Sequence, residues 1–268
     1  LPRLACTGIV ALPSTTAKVL EHCFFFLQRA QMNPSPNLDG LSPQRRASML
    51  AAAGEIRECY RVLEKAGINL VGEVLRGQGE FVELEHYPRD DVLDRETQAQ
   101  YYYHTHRDGE LEHGHFHLFL RAGGMPPDCR PLDYPQATDT WPAGDDALAH
   151  LVAISMDAWG YPIGFFCTNR WVTAEAWYPA EQTIAMLDRF AIDHAFPNWA
   201  VNRWLTAMLQ LFRPQVEALI RQRDAVVAEW QASAPGADVF EDRNLEITGY
   251  LPIDVQALTL ALEAAAGQ

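Results

Sequence analysis

The sequence predicts an α+β protein: an antiparallel sheet carrying a histidine-rich hairpin, with an N-terminal helix before it and a helical C-terminal half after it. Three observations lead there. Apolar residues recur at helical spacing before Gly67. Short segments rich in β-branched and aromatic residues, broken by Gly, Pro and Asp, fill the middle of the chain. Helical spacing then returns after Pro179.

Taken in order, Ser42-Pro43 supplies an N-cap and a proline at the first helical position. Met49, Leu50, Ala53, Ile56, Tyr60 and Leu63 follow on one face, and Gly67 stops the run, so a helix is expected over 43–66. Asn69–Arg76, Glu80–His86, Ala99–His106 and Gly114–Arg121 read as strands. Gly123–Asp146 holds five prolines and no period, which makes it a loop and a candidate lid. Ala149–Asp157 and Pro162–Thr168 read as a hairpin turning near Trp159-Gly160. Pro179 opens a helix to about Ala191, with Ile184, Leu187 and Phe190 on one side. Trp199–Leu211 and Pro214–Gln231 follow, the latter striped by Val216, Leu219, Ile220, Val227 and Trp230. Leu245–Leu251 reads as a last strand, and Asp254 as the cap of a terminal Ala/Leu helix. The domain organisation follows: 1–41 as an N-terminal extension, to which no function is given, and 42–268 as one domain.

A formal net charge of -14 over 268 residues disfavours a phosphate backbone or an anionic membrane as partner. A small molecule is expected instead. The five cysteines, Cys6, Cys23, Cys59, Cys129 and Cys167, form no CxxC pair. They read as reduced thiols of a cytoplasmic protein and argue against a thiolate zinc site. No apolar run reaches the roughly 20 residues that a bilayer span needs.

The chemistry concentrates in Tyr101–Leu118. Five of the nine histidines lie there, as His104-x-His106 and His113-x-His115-x-His117. In a strand, residues two apart share a face about 6.6 Å apart. Each group is therefore expected to share a face. If Asp108 and Gly109 form a two-residue turn, His104 falls opposite His113; a loop longer by two residues puts it opposite His115. Either register merges the histidines into one patch, and a one-residue slip splits them. A lone strand histidine is ordinarily a satisfied polar residue, and His22 and His194 are read so. Five imidazoles on one face each need a donor and an acceptor partner, a need that metal ligation meets. His104, His106, His115 and His117 are the expected ligands. Glu112, His113 and Arg107 are the expected catalytic groups, with Arg107 and Arg121 available for an anionic substrate. Glu110, Glu83, Glu85, His86 and His150 are further candidates.

The segment Tyr101-Tyr102-Tyr103-His104-Thr105-His106 and Glu112-His113-Gly114-His115-Phe116-His117 resembles the core of an uncharacterised bacterial protein family. The likeness extends through Asn169-Arg170-Trp171 and Asn202-Arg203-Trp204. It implies a bacterial protein with a histidine-rich centre and no assigned activity. His104, His106 and Glu110 are similar to the first motif of cupins, which implies a metal-binding barrel, although His117 stands where that motif has Gly. His113 to Phe119 is similar to the histidine-triad nucleotide hydrolases and transferases. That resemblance implies His115 as nucleophile, with His113 and His117 orienting it.

The expected function is a metal-dependent enzyme with a mono- or dinuclear site on a hairpin, of non-heme iron type and oxidoreductase in activity. Zinc, manganese and copper are the alternative metals, zinc making it a hydrolase or lyase. The alternatives are a histidine-triad-like enzyme and a non-catalytic metal-binding protein.

Overall fold

In the computed structural model, residues 38–105 and 112–266 are described. The N-terminal extension as far as residue 37, and His106, Arg107, Asp108, Gly109, Glu110 and Leu111, lie outside the described residues.

Helix α1 spans Pro43–Lys65. Ser42 Oγ accepts from the Arg45 N–H, and Met49, Ala52, Ala53, Ile56, Cys59 and Leu63 form the buried stripe. A short helix α2, Leu70–Leu75, follows. The sequence suggested a strand here because of its β-branched residues. Asn69 decides otherwise: its side chain caps Gly72 N at 2.8 Å, and Leu70, Val71 and Val74 bury at helical spacing. Residues 80–86 are also not a strand. Tyr87 Oη gathers this stretch into a loop, accepting from Val82 N and donating to Glu80 O.

Six strands then run as an antiparallel meander in sequence order: β1 Tyr87–Leu93, β2 Ala99–His104, β3 Gly114–Arg121, β4 Leu148–Met156, β5 Pro162–Thr168 and β6 Ile247–Pro252. The order is linear, so among the described residues the sheet is open and not the barrel that a cupin likeness implied. Between β3 and β4, residues 123–146 hold only short 3-10 turns, as the prolines predicted. Asp157 Oδ1 closes the β4–β5 turn by accepting from Trp159 N and Tyr161 N.

The other helices are α3 Arg170–Thr173, α4 Ala180–Leu187, α5 Trp199–Leu211, α6 Arg213–Ser233 and α7 Val255–Ala266. Asp254 caps α7 through Ala257 N, as expected. One face of the sheet buries Tyr101, Tyr103, Phe116, Leu118, Ile154, Phe165 and Cys167 against the helices. Trp204 of α5 packs on Phe116, and Phe212 on Phe165. Asn202 of α5 sits in this layer, fully buried, accepting from Tyr101 Oη. The arrangement is α+β, with helices gathered on one face. The second face is left for the histidines.

Candidate metal centre

Strand alternation assigns the second face. β2 and β3 pair with Tyr102 opposite His117 and His104 opposite His115. Directly opposed residues share a face, so Tyr102, His104, His115 and His117 stand together, away from the helix layer. The hairpin adopts the longer-loop register, not the one in which His104 faces His113.

The three imidazoles meet nearly at right angles. Ring centroids are 4.6 Å apart for His104 and His115, 5.1 Å for His104 and His117, and 4.9 Å for His115 and His117. The interplanar angles are 86°, 78° and 84°. Each offers one ligand nitrogen, and the three nitrogens lie within 4.8 Å of one another. Two nitrogens on one ion at about 2.0–2.1 Å are at most about 4.2 Å apart. A modest inward turn of the rings therefore closes them on a single ion. Their exposures are 7%, 0% and 0%, so an ion held there is shielded from bulk water.

Partners on the far nitrogens set the orientation. His115 Nδ1 lies 2.7 Å from Glu112 Oε1, and His117 Nδ1 lies 3.0 Å from His150 Nε2. Each contact engages Nδ1, so Nε2 is the nitrogen that each ring would offer to an ion, as in carboxylate- or base-supported metal histidines. His150 lies beside the group. Burial first, then the Arg223 and His115 charges, pushes its imidazole down to about 3, so it stays neutral. His86 stacks on Tyr102 at 3.6 Å and bonds Asp91 Oδ1 at 3.0 Å. Its ring centroid is 5.7 Å from that of His104.

The expected residues separate accordingly. His104, His115 and His117 come together, with Glu112 bound to one of them. His113 does not join them, although strict alternation placed it on their face. The chain is irregular before Gly114, and the His113 ring stacks on Phe81 and bonds Tyr103 Oη at 2.7 Å, on the helix side. Burial lowers its pKa below the usual imidazole value. Glu83 and Glu85 are exposed and outside the group. Arg121 is committed to Gln100 Oε1 at 2.6 Å. His106, Arg107 and Glu110 lie outside the described residues. The two Asn-Arg-Trp segments serve unrelated ends. Arg170 is buried in ion pairs with Glu241 and Asp139, and Arg203 reaches Glu55 from α5.

The sequence marks His150 only as one of several further candidates, without a role. The β3–β4 ladder shows why. His117 pairs with Ala153 and Leu118 with Val152, but Phe119 pairs with His150. A bulge at Leu151 absorbs the odd spacing. Leu151 and Val152 both enter the helix-side core, and His150 is returned to the histidine face. Counting by twos from Ala153 would have sent it the other way.

An α+β domain with a three-imidazole cluster on the sheet face opposite its main apolar core defines a candidate metal-binding class. The chain belongs to the family described as "Domain of unknown function (DUF6969)", whose model matches residues 50–253. No curated protein and no solved structure matches the chain. No helix among the described residues is long and apolar enough to cross a membrane.

Proposed function

We propose that the chain is a metal-dependent enzyme in which His104, His115 and His117 hold one transition-metal ion. It acts on a small molecule as an oxidoreductase of the non-heme iron type. The observation that carries this reading is the set of three mutually perpendicular imidazoles, two of them oriented from behind through Nδ1. A three-nitrogen facial set occupies half of an octahedral sphere and leaves positions for substrate and co-substrate. One such group is found among the described residues, which favours a mononuclear centre. Bound there, an iron ion supplies redox chemistry; zinc would supply a water of lowered pKa. The ion with Glu112 leaves net positive charge in a buried space, which suits an anionic or polarised substrate.

A non-catalytic metal-binding protein is the second reading, favoured by the near-complete burial of His115 and His117. The histidine-triad reading loses support from the rotation of His113 to the other face.

The test is metal content by mass spectrometry on tag-free protein, beside a His104→Ala/His115→Ala double variant. About one equivalent of a single transition metal, lost in the variant, is expected. No metal in folded wild-type protein would sink the proposal. Nucleotide turnover by metal-free protein, abolished in His115→Ala, would move the assignment to phosphoryl chemistry.

A further inference from the structure

We infer that His150 is a positioning residue of the metal centre, holding His117 with Nε2 toward the ion through the contact between His117 Nδ1 and His150 Nε2. The inference rests on the metal centre proposed above and assigns that centre a part which no ligand pattern contains.

The bulge at Leu151 sets His150 opposite Phe119 and beside His117. The two rings then lie 4.9 Å apart with a nitrogen–nitrogen contact of 3.0 Å. One of two facing imidazole nitrogens must donate and the other accept. If Nε2 of His117 is to present a lone pair to an ion, its proton sits on Nδ1, and His150 Nε2 accepts it. The remaining proton of His150 is then on Nδ1, which faces Thr168 Oγ1 at 3.5 Å. The order of donors and acceptors is thereby fixed from Thr168 to the ion.

His150 is itself clamped. Its backbone N–H donates to Glu175 Oε2 at 2.5 Å, and Phe119 flanks its ring at 5.2 Å. At 3% exposure it has little freedom to turn away. It backs His117 as Glu112 backs His115, with one chemical difference. Glu112 is a carboxylate that draws electron density onto its ligand, whereas His150 is a neutral acceptor. The two ligands are thus unequal in donor strength. An aromatic that merely filled the core would need no nitrogen at this position.

The experiment compares wild type with His150→Phe and His150→Gln by titration with cobalt(II), following the d–d absorption bands. Gln keeps an acceptor near the Nε2 position and Phe does not. His150→Phe is expected to weaken cobalt binding by about 10- to 100-fold and to shift the bands, with His150→Gln recovering most of both. If His150→Phe does not fold, the zinc-loaded wild type and His150→Gln are compared by nitrogen-15 histidine spectra. A protected Nδ1–H on His117 in both is then expected. Equal affinity and identical bands in wild type and His150→Phe, or no protected Nδ1–H, would overturn this inference alone. Failure of the wild type to bind cobalt would overturn the metal centre and this inference together.

Discussion

Glu112 Oε1 and His115 Nδ1 stand 2.7 Å apart, so a carboxylate backs one imidazole of the cluster from outside the three-ring group. Replacing Glu112 with Ala is expected to lower metal affinity by about 10- to 100-fold, with Gln intermediate because it accepts without charge. Competition against a chelator of known affinity checks this. Wild-type affinity in Glu112→Ala would mean the contact does not support the ligand.

Gly114 sits where β3 meets β2, next to the pair of His104 and His115. A Cβ there would come within 2.6 Å of the His104 carbonyl and of Tyr103 Oη. Gly114→Ala is expected to destabilise the protein by about 1–3 kcal/mol through overpacking. It should also weaken metal binding, because the strands must part beside two ligands. Urea unfolding of metal-free protein and a metal titration separate the two effects.

Tyr101 of β2 donates to Asn202 of α5 at 2.7 Å, with both side chains fully buried. Tyr101→Phe removes the donor and leaves a buried acceptor short of a partner. A loss of about 1–3 kcal/mol in urea unfolding is expected, with metal affinity unchanged. A change in affinity would mean that the helix layer tunes the centre.

Glu175 is 1% exposed, and burial pushes its carboxyl up to about 8, against the pull of Arg223 and the His150 N–H. The folded protein holds this proton up to that pH, whereas the unfolded chain releases it near the ordinary carboxylate value of 4.5. Between these values the native state binds more protons, so this group lowers stability as pH rises, by at most about 1.4 kcal/mol per unit. Glu175→Gln should flatten that decline while still accepting from His150. Chemical unfolding of metal-free protein from pH 4.5 to 8.5 measures it, and parallel curves for both proteins would place the proton elsewhere.

The strongly periodic parts of the fold were legible in the sequence. Gly114–Arg121, Pro162–Thr168 and Trp199–Leu211 lie where their patterns put them, and the α+β class followed from their order. Asn69–Arg76 misled because the six-residue helix within it, Leu70–Leu75, is too short to display its period, so the β-branched content dominated. That His104, His115 and His117 share a face was legible from their two-residue spacing together with an even hairpin register. The roles of His113 and His150 were not, because both depend on departures from alternation: irregular backbone before Gly114 and the bulge at Leu151. Parity arguments hold only where the ladder is regular.

His104, His115 and His117 all belong to one hairpin, β2–β3, whose strands are adjacent in the chain. Such local contacts form early, before the distant pairing of β5 with β6 across helices α3 to α6. On the proposed metal reading, the ligand set would be assembled while its face is still open to solvent, and an ion would be captured during synthesis and enclosed afterwards. Its escape would then be governed by how often the hairpin unfolds. The centre would then behave as a kinetic trap, with metal identity decided by what the nascent chain meets first.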